Sequence, residues 1–101
     1  MTNKQVVFKY GCTALGSIFE LEMLPNSMPL HAAMQQDKLQ LWALGEVTDR
    51  RETRSFVVLG TGKEVEVPPR SYLTHVASVM DGPFVWHVFE VCSMQPQMNA
   101  G

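Results

Sequence analysis

The sequence has few cysteines and no long apolar run. Cys12 and Cys92 are the only two cysteines, so the multiple disulfides that staple small secreted domains are excluded. They follow the first predicted strand and end the last one, which leaves them free to be neighbours, but we favour two reduced thiols. No apolar stretch approaches the roughly 20 residues of a membrane-spanning helix. The polar start, residues 1–5, lacks a signal-peptide core, and we expect a cytoplasmic protein with no membrane partner.

An excess of basic residues is also missing. Eight Lys and Arg stand against ten Asp and Glu, which gives a formal net charge of −2. A nonspecific nucleic-acid binder carries a broadly basic surface, so the balance does not indicate nucleic acid as a partner. The acidic excess is too slight to favour a DNA mimic.

Motifs that carry catalysis or bind metals are absent. The sequence contains no HExxH, no paired CxxC and no GxSxG, and its three histidines, His31, His75 and His87, are far apart. The stretch 60–63 reads GTGK, but a phosphate loop needs Ser or Thr after the lysine, and Glu64 follows. We therefore predict that the protein is not an enzyme and uses no metal or cofactor.

Alternation of apolar and polar residues, in short segments between turns, is what the sequence does contain. The cleanest case is residues 18–23, where Phe19, Leu21 and Met23 alternate with Glu20 and Glu22; this pattern predicts a half-buried strand. The predicted strands are 6–10, 18–23, 30–34, 38–46, 53–59, 72–80 and 84–91, with a short extra strand at 63–67.

Two of these segments, 39–44 and 84–91, are apolar on both faces. Such a strand is central and covered on both sides, either by its own chain or by a partner subunit. Trp42 and Trp86 are therefore predicted to be core residues, with the alternative that one tryptophan lies on an exposed sheet face as a binding anchor. A fully buried Trp86 would make Trp86→Ala cost about 3–5 kcal/mol.

The fold class follows from these elements. The segments 39–44 and 53–59, joined by the charged stretch 47–52, give the strongest hairpin prediction. We predict an all-β protein, a small antiparallel β-sandwich or partly open barrel of about six to seven strands. Its 101 residues fit one domain, which we place at 4–92. The patternless tail, 93–101, is predicted to be disordered.

Four arginines are the candidate partner-binding residues. Arg50, Arg51 and Arg54 surround the tip of the predicted hairpin, and Arg70 follows two prolines. Guanidinium groups bind phosphates and acidic protein surfaces. We favour the simpler interpretation of solvated charge that keeps a loop soluble, with Asp49 nearby. If a binding site exists, this tip is still the first place to look, because loops on rigid strands commonly carry recognition.

Several stretches taken together resemble a known group of proteins. They are 8–10 (FKY), 21–25 (LEMLP), 41–44 (LWAL), 51–56 (RETRSF), 60–62 (GTG) and 84–90 (FVWHVFE). In this order they resemble an uncharacterised family of small proteins encoded by tailed phages and prophages, over most of residues 6–91. The chain departs from that pattern at Lys63, where relatives have His, and over 64–70. The resemblance implies a phage origin and a location in the host cytoplasm or the virion. It implies no catalytic residues.

The expected function is that of a non-catalytic phage accessory protein that binds a host protein or protein complex. Its sharpest version is an inhibitor of a bacterial antiviral defence system. One alternative is a self-assembling or virion-associated structural protein, which would form a homo-oligomer. Another is a small-ligand or nucleotide binder that uses the arginine tip and an aromatic side chain.

Overall fold

The structure, a computed structural model, describes residues 2–94 and contains seven β-strands. The strands are β1 (Gln5–Gly11), β2 (Phe19–Met23), β3 (Met28–Gln35), β4 (Lys38–Glu46), β5 (Glu52–Gly60), β6 (Ser71–Asp81) and β7 (Phe84–Ser93). Residues 2–94 include no helix. The predicted all-β fold is confirmed, as a small sandwich of two sheets and not a closed barrel. The predicted extra strand at 63–67 is wrong, since this segment forms no ladder.

The strands form two antiparallel sheets. The three-stranded sheet has the order β1-β4-β3, and the four-stranded sheet has the order β2-β5-β7-β6. The hairpins are β3–β4 and β6–β7, whereas β4 and β5 lie in different sheets. The predicted hairpin of 39–44 with 53–59 is therefore wrong. Two apolar strands joined by a polar loop look the same in sequence whether the loop turns back within a sheet or crosses to the other one.

The core lies between the sheets and is built from the inward side chains of alternating positions. Leu39, Leu41 and Ala43 of β4 point inward and are buried. They face Phe56 and Val58 of β5, both fully buried. Each large apolar side chain removed from water in this way contributes about 1.5–3 kcal/mol to folding.

The β5–β6 connection accounts for the two-sided apolar character of β7. β5 and β6 are both antiparallel to β7, so they run parallel and residues 61–70 must return along the length of the sheet. The inner face is occupied by the other sheet, and we infer that this segment crosses the outer face. Val57 agrees with this path: it lies on the outer side, opposite Phe89, yet it is 0% exposed.

The turns and connections collect at two ends of the sandwich. The end that contains 24–27, 47–51 and 68–70 is here called the loop end, and the end that contains 12–18, 36–37, 61–62 and 82–83 is called the hairpin end. Cys12 lies at the hairpin end and Cys92 near the loop end, and both thiols are free. They are not neighbours.

The end of the predicted domain can be followed as far as Met94. Ser93 belongs to β7, and the backbone N–H of Met94 donates to the carbonyl of Arg70 at 2.7 Å. The remainder of the tail predicted to be disordered, residues 95–101, lies outside the described residues.

Candidate functional site

Trp42 lies on the outer side of the three-stranded sheet. Because side chains alternate along a strand, the inward direction of Leu41 and Ala43 turns Trp42 and Leu44 outward. β4 is the central strand of its sheet, so the indole stands in the middle of an outer face. The sequence allowed Trp42 to lie in the core or on an outer sheet face. The structure places it on the outer face, where it is half-buried.

Lys9 and His31 flank this indole on the neighbouring strands, and an apolar row lies next to it. Val7, Leu44 and Met28 are opposite one another in the strand register, and Val7 and Met28 are 48% and 54% exposed. His31 is opposite Trp42, with the ring centroids 5.8 Å apart. These five residues, Val7, Met28, His31, Trp42 and Leu44, are here called the Trp42 face.

No segment of residues 2–94 crosses the Trp42 face. The connections 12–18, 24–27 and 47–51 join the two sheets at their ends, and 36–37 is a hairpin turn. Polar groups border the face: the ammonium of Lys9 donates to Oε1 of Gln35 at 2.7 Å. Trp42 and Leu44 are half-buried between these side chains. An apolar centre with a polar rim is the composition of protein–protein interfaces, and a tryptophan at such a centre is a frequent anchor.

Part of this site could be predicted from the sequence. The two-sided apolar pattern of 39–44 marked Trp42 and Leu44, and the first predicted strand included Val7. Met28 and its strand position were missed, because the predicted strand began at Leu30, after Pro29, whereas β3 begins at Met28. Met28 and the buried residue Ala32 are four positions apart, which in a regular strand places them on the same face. The β-bulge between Pro29 and His31 shifts the register by one position and puts them on opposite faces.

Arg54 is committed to contacts inside the sandwich. Its Nε and Nη2 groups donate to the two carboxylate oxygens of Glu90 at 2.6 and 2.7 Å, and Nη1 donates to the carbonyl of Ser27. The hydrogen bond with Glu90 raises the pKa of the Arg54 guanidinium above its ordinary value, against the opposing effect of desolvation. This bidentate pair ties β5 to β7 and to the 24–27 turn, so Arg54 is occupied in the folded chain.

The other three candidate arginines lie at the loop end. Arg50 and Arg51 are exposed in the 47–51 connection, where Nη1 of Arg51 donates to the carbonyls of Thr48 and Arg50 at 3.0 and 2.9 Å. Arg70 is exposed and has a positive φ of 61°. The register puts both loops at the same end of the four-stranded sheet. A binding role for these three residues stays a prediction.

Trp86 lies at the hairpin end. It is half-buried, packs against the core, and donates its indole N–H to Oδ2 of Asp81 at 3.2 Å. Its predicted place in the core is therefore only partly correct, because the ring borders two open clefts.

A chain of hydrogen bonds that the sequence did not indicate lies on the outer face of the four-stranded sheet. Ser78 Oγ is 3.0 Å from His75 Nε2 and 2.8 Å from His87 Nδ1, and His87 Nε2 is 2.8 Å from Thr61 Oγ1. A serine beside a histidine is the pairing of nucleophile and base. Acyl transfer also needs oxyanion donors in a site that excludes water, and Ser78 lines neither of the two clefts that border Trp86. We interpret these hydrogen bonds as a polar network between neighbouring strands.

Metal and membrane features give no further site among the described residues. Within residues 2–94, no group of three or more His, Cys, Asp or Glu side chains converges as a metal site requires. The same residues contain no helix of the length and hydropathy needed to cross a membrane.

Comparison with known proteins places the chain in a family. The family model described as Domain of unknown function (DUF7352) matches residues 3–99, and the chain belongs to this family. No curated protein and no solved structure gives a significant match.

Proposed function

We propose that this DUF7352 protein is a non-catalytic accessory protein that binds a host protein through the Trp42 face. The observation that carries the proposal is the position of Trp42, at the centre of an open sheet face and beside the row Val7–Leu44–Met28. A tryptophan placed there costs free energy in water and gains it when a partner covers the ring.

The rigidity of the face supports the same proposal. Trp42 and Leu44 are on a central strand that is hydrogen-bonded on both sides. A partner therefore meets a surface that is ordered before binding, and the entropy lost on association is smaller than for a mobile loop. Sites on strands also hold their side chains more precisely than sites on loops.

The identity of the partner rests on the sequence resemblance described above. A small protein of tailed-phage type would act in the bacterial host cytoplasm, and its partner would be a host protein or protein complex. The sharpest form of the proposal is an inhibitor that blocks a component of an antiviral defence system. Such a role needs a binding surface and no chemistry.

Affinity purification from host lysate tests the proposal. We expect the tagged wild-type protein to capture a defined partner, and Trp42→Ala to weaken the purified complex about tenfold or more, as loss of a central aromatic anchor does. Met28→Ser is the second variant, since its exposed side chain makes a change in stability small. Met80→Ser is the matched control, because Met80 is 75% exposed on the other sheet.

The melting temperature of each variant separates loss of binding from loss of fold. Repeated purifications that capture no host protein would contradict the proposal. It would also be contradicted if Trp42→Ala and Met28→Ser both bound the captured partner like the wild type.

A second copy of the chain is the alternative occupant of the Trp42 face. The rim favours it by carrying both signs, with Lys9 and Glu46 on the same side of the sheet, and a two-fold pairing can place opposite charges together. Sedimentation velocity at micromolar concentration decides: a dimer that Met28→Ser dissociates supports self-assembly, and a strict monomer removes it.

A further inference from the structure

We propose that a cleft beside Trp86 binds a planar aromatic ring that carries a negative charge. The cleft lies at the hairpin end and has a volume of about 340 Å³, which is within the range of small-molecule sites. This site is separate from the Trp42 face and does not depend on the function proposed above. The cleft is lined by Gly60, Thr61, Lys63, Pro83, Phe84, Val85 and Trp86.

The walls of the cleft are flat and apolar. Phe84 and Trp86 stack with their ring centroids 5.9 Å apart and their planes at 24°. Phe84 is 59% exposed, so part of its ring is open to a ligand. The hydrogen bond from the Trp86 indole to Asp81 fixes the ring orientation. Stacked aromatic walls favour a planar ring, because offset stacking buries the most area for such a shape.

Lys63 lies beside these walls, next to Gly60. A Cβ at Gly60 would be at ordinary contact distance from both neighbours, 3.4 Å from the Trp86 ring and 3.6 Å from Cγ of Lys63. The indole and the aliphatic stem of Lys63 therefore both lie against the end of β5. The backbone N–H of Lys63 donates to the carbonyl of Gly60 at 3.1 Å, which keeps Lys63 at the rim of the aromatic wall.

The two clefts that border Trp86 differ in net charge. Lys63 is the only charged residue that lines the 340 Å³ cleft, and among the described residues it makes no ion pair. A second cleft of about 260 Å³ is lined by Asp37, Asp81 and Lys38. Its two carboxylates outnumber its one ammonium group, so an anion favours the cleft that contains Lys63.

Aromatic carboxylates and nucleoside monophosphates share the required chemistry of a flat ring and an anionic group. The nucleotide-binding alternative from the sequence relied on the arginine tip. Arg50 and Arg51 are at the loop end, and Lys63 is at the hairpin end, so the cation in the proposed site is the lysine.

NMR titration of the indole N–H signals tests the site. The chain has two tryptophans, and Trp42→Phe assigns their signals. With indole-3-acetate and AMP as separate probes, we expect the Trp86 signal to move and the Trp42 signal to stay, with a Kd on the order of 0.1–1 mM for an open cleft. Movement with indole-3-acetate alone assigns the site to aromatic carboxylates, and movement with AMP alone assigns it to nucleotides.

Charge and ring are tested by matched variants and neutral probes. Lys63→Gln should weaken binding about fivefold, as an exposed charge contact does, whereas Lys38→Gln, in the second cleft, should leave Kd unchanged. Indole-3-acetamide and adenosine should bind more weakly than their anionic counterparts. The proposal is overturned if neither anion moves the Trp86 signal, if Lys63→Gln binds like the wild type, or if the neutral probes bind equally well.

Discussion

The two tryptophans show how far the role of one residue depends on which side of a strand it faces. Trp42 and Trp86 both belong to segments that are apolar on both faces, and local sequence gives them the same expectation. In the structure both are half-buried, but Trp42 lies on the outer face of its sheet, and Trp86 points toward the core at the margin of the sandwich. The first faces away from the core, and the second borders clefts of small-molecule size.

Because Trp86 is only half-buried, the cost of removing it is lower than the sequence-based figure. We expect Trp86→Ala to reduce the free energy of unfolding by about 2 kcal/mol, since part of the ring contacts solvent already. Phe56→Ala, at a fully buried position, is the reference and should cost about 3–5 kcal/mol. Urea unfolding measures both, and an equal cost for the two variants would contradict the half-buried position of Trp86.

Burial also affects the reactivity of the Cys12 thiol. Desolvation raises the pKa of the Cys12 thiol from 9.0 to about 11, so at pH 8 only about 0.1% of it is thiolate, the reactive form. We expect a disulfide reagent at pH 8 to modify Cys92 faster than Cys12 in the native protein. Cys12→Ser and Cys92→Ser identify each phase, and faster labelling of Cys12 would contradict the prediction.

The same shift has a consequence for stability at alkaline pH. A raised folded-state pKa means that the native state keeps the proton of Cys12 after the unfolded state has lost it. The stability contributed by the neutral thiol is complete below pH 9 and is lost as the pH rises toward about 11. The decline over this interval should be smaller in Cys12→Ser than in the wild type.

At the scale of single strands, local turn geometry and a few close contacts determine where each strand ends. The β3–β4 hairpin turns at Gln36 and Asp37, whose φ angles of 53° and 63° match the two-residue turn that suits the twist of antiparallel strands. At the other end of β4, Gly45 meets the 24–27 turn, which is fastened by the hydrogen bond from Ser27 Oγ to the carbonyl of Leu24 at 2.7 Å.

Gly45→Ala should be strongly destabilising at this junction. A Cβ at Gly45 would be 2.7 Å from both Leu24 Cβ and Ser27 Oγ, closer than atoms can pack, so the turn must move away from β4. We expect a loss of about 2–3 kcal/mol. Gly11→Ala is the matched control in β1, because its nearest neighbour would be Gln40 Oε1 at an ordinary 3.5 Å. Thermal unfolding that shifts equally for the two variants would refute this packing.

At the scale of the whole molecule, two sheets of unequal width share one core. β4, β5 and β7 have neighbours on both sides, whereas β1, β2, β3 and β6 are edge strands. The interior strands also hold most of the fully buried side chains, including Leu41, Val57, Val58 and Val88. Opening the molecule at an edge therefore costs less free energy than opening its centre.

Native-state hydrogen exchange should show the same order of opening free energies, lower at the edges than at the centre. We expect amides of β5 and β7 that pair with each other, such as Val58 and Val88, to exchange near the free energy of global unfolding. Amides of β1 should exchange through smaller openings, because an edge strand can detach by itself. Protection in β1 equal to that in β5 would contradict a sandwich with independent edges.

The strands could be predicted from the sequence, and their partners could not. The segment 18–23 was found nearly to the residue, because period-two alternation is a local property. The pairing of 39–44 with 53–59 was wrong, because a polar loop such as 47–51 fits either a hairpin or a crossing between sheets. The open position of Trp42 was kept only as an alternative, since a two-sided apolar strand does not reveal what covers its second face.

The sequence by itself determined that this protein is all-β, with one small core and about six to seven strands, because each strand's pattern is contained within a few residues. Only the tertiary structure decided which apolar face is closed and which stays open. Val57, on the outer side of the four-stranded sheet, is 0% exposed, whereas Val7 and Met28, on the outer side of the three-stranded sheet, are 48% and 54% exposed. That outcome depends on contacts between residues far apart in the chain, which no local pattern encodes, and it leaves Trp42 available to a partner.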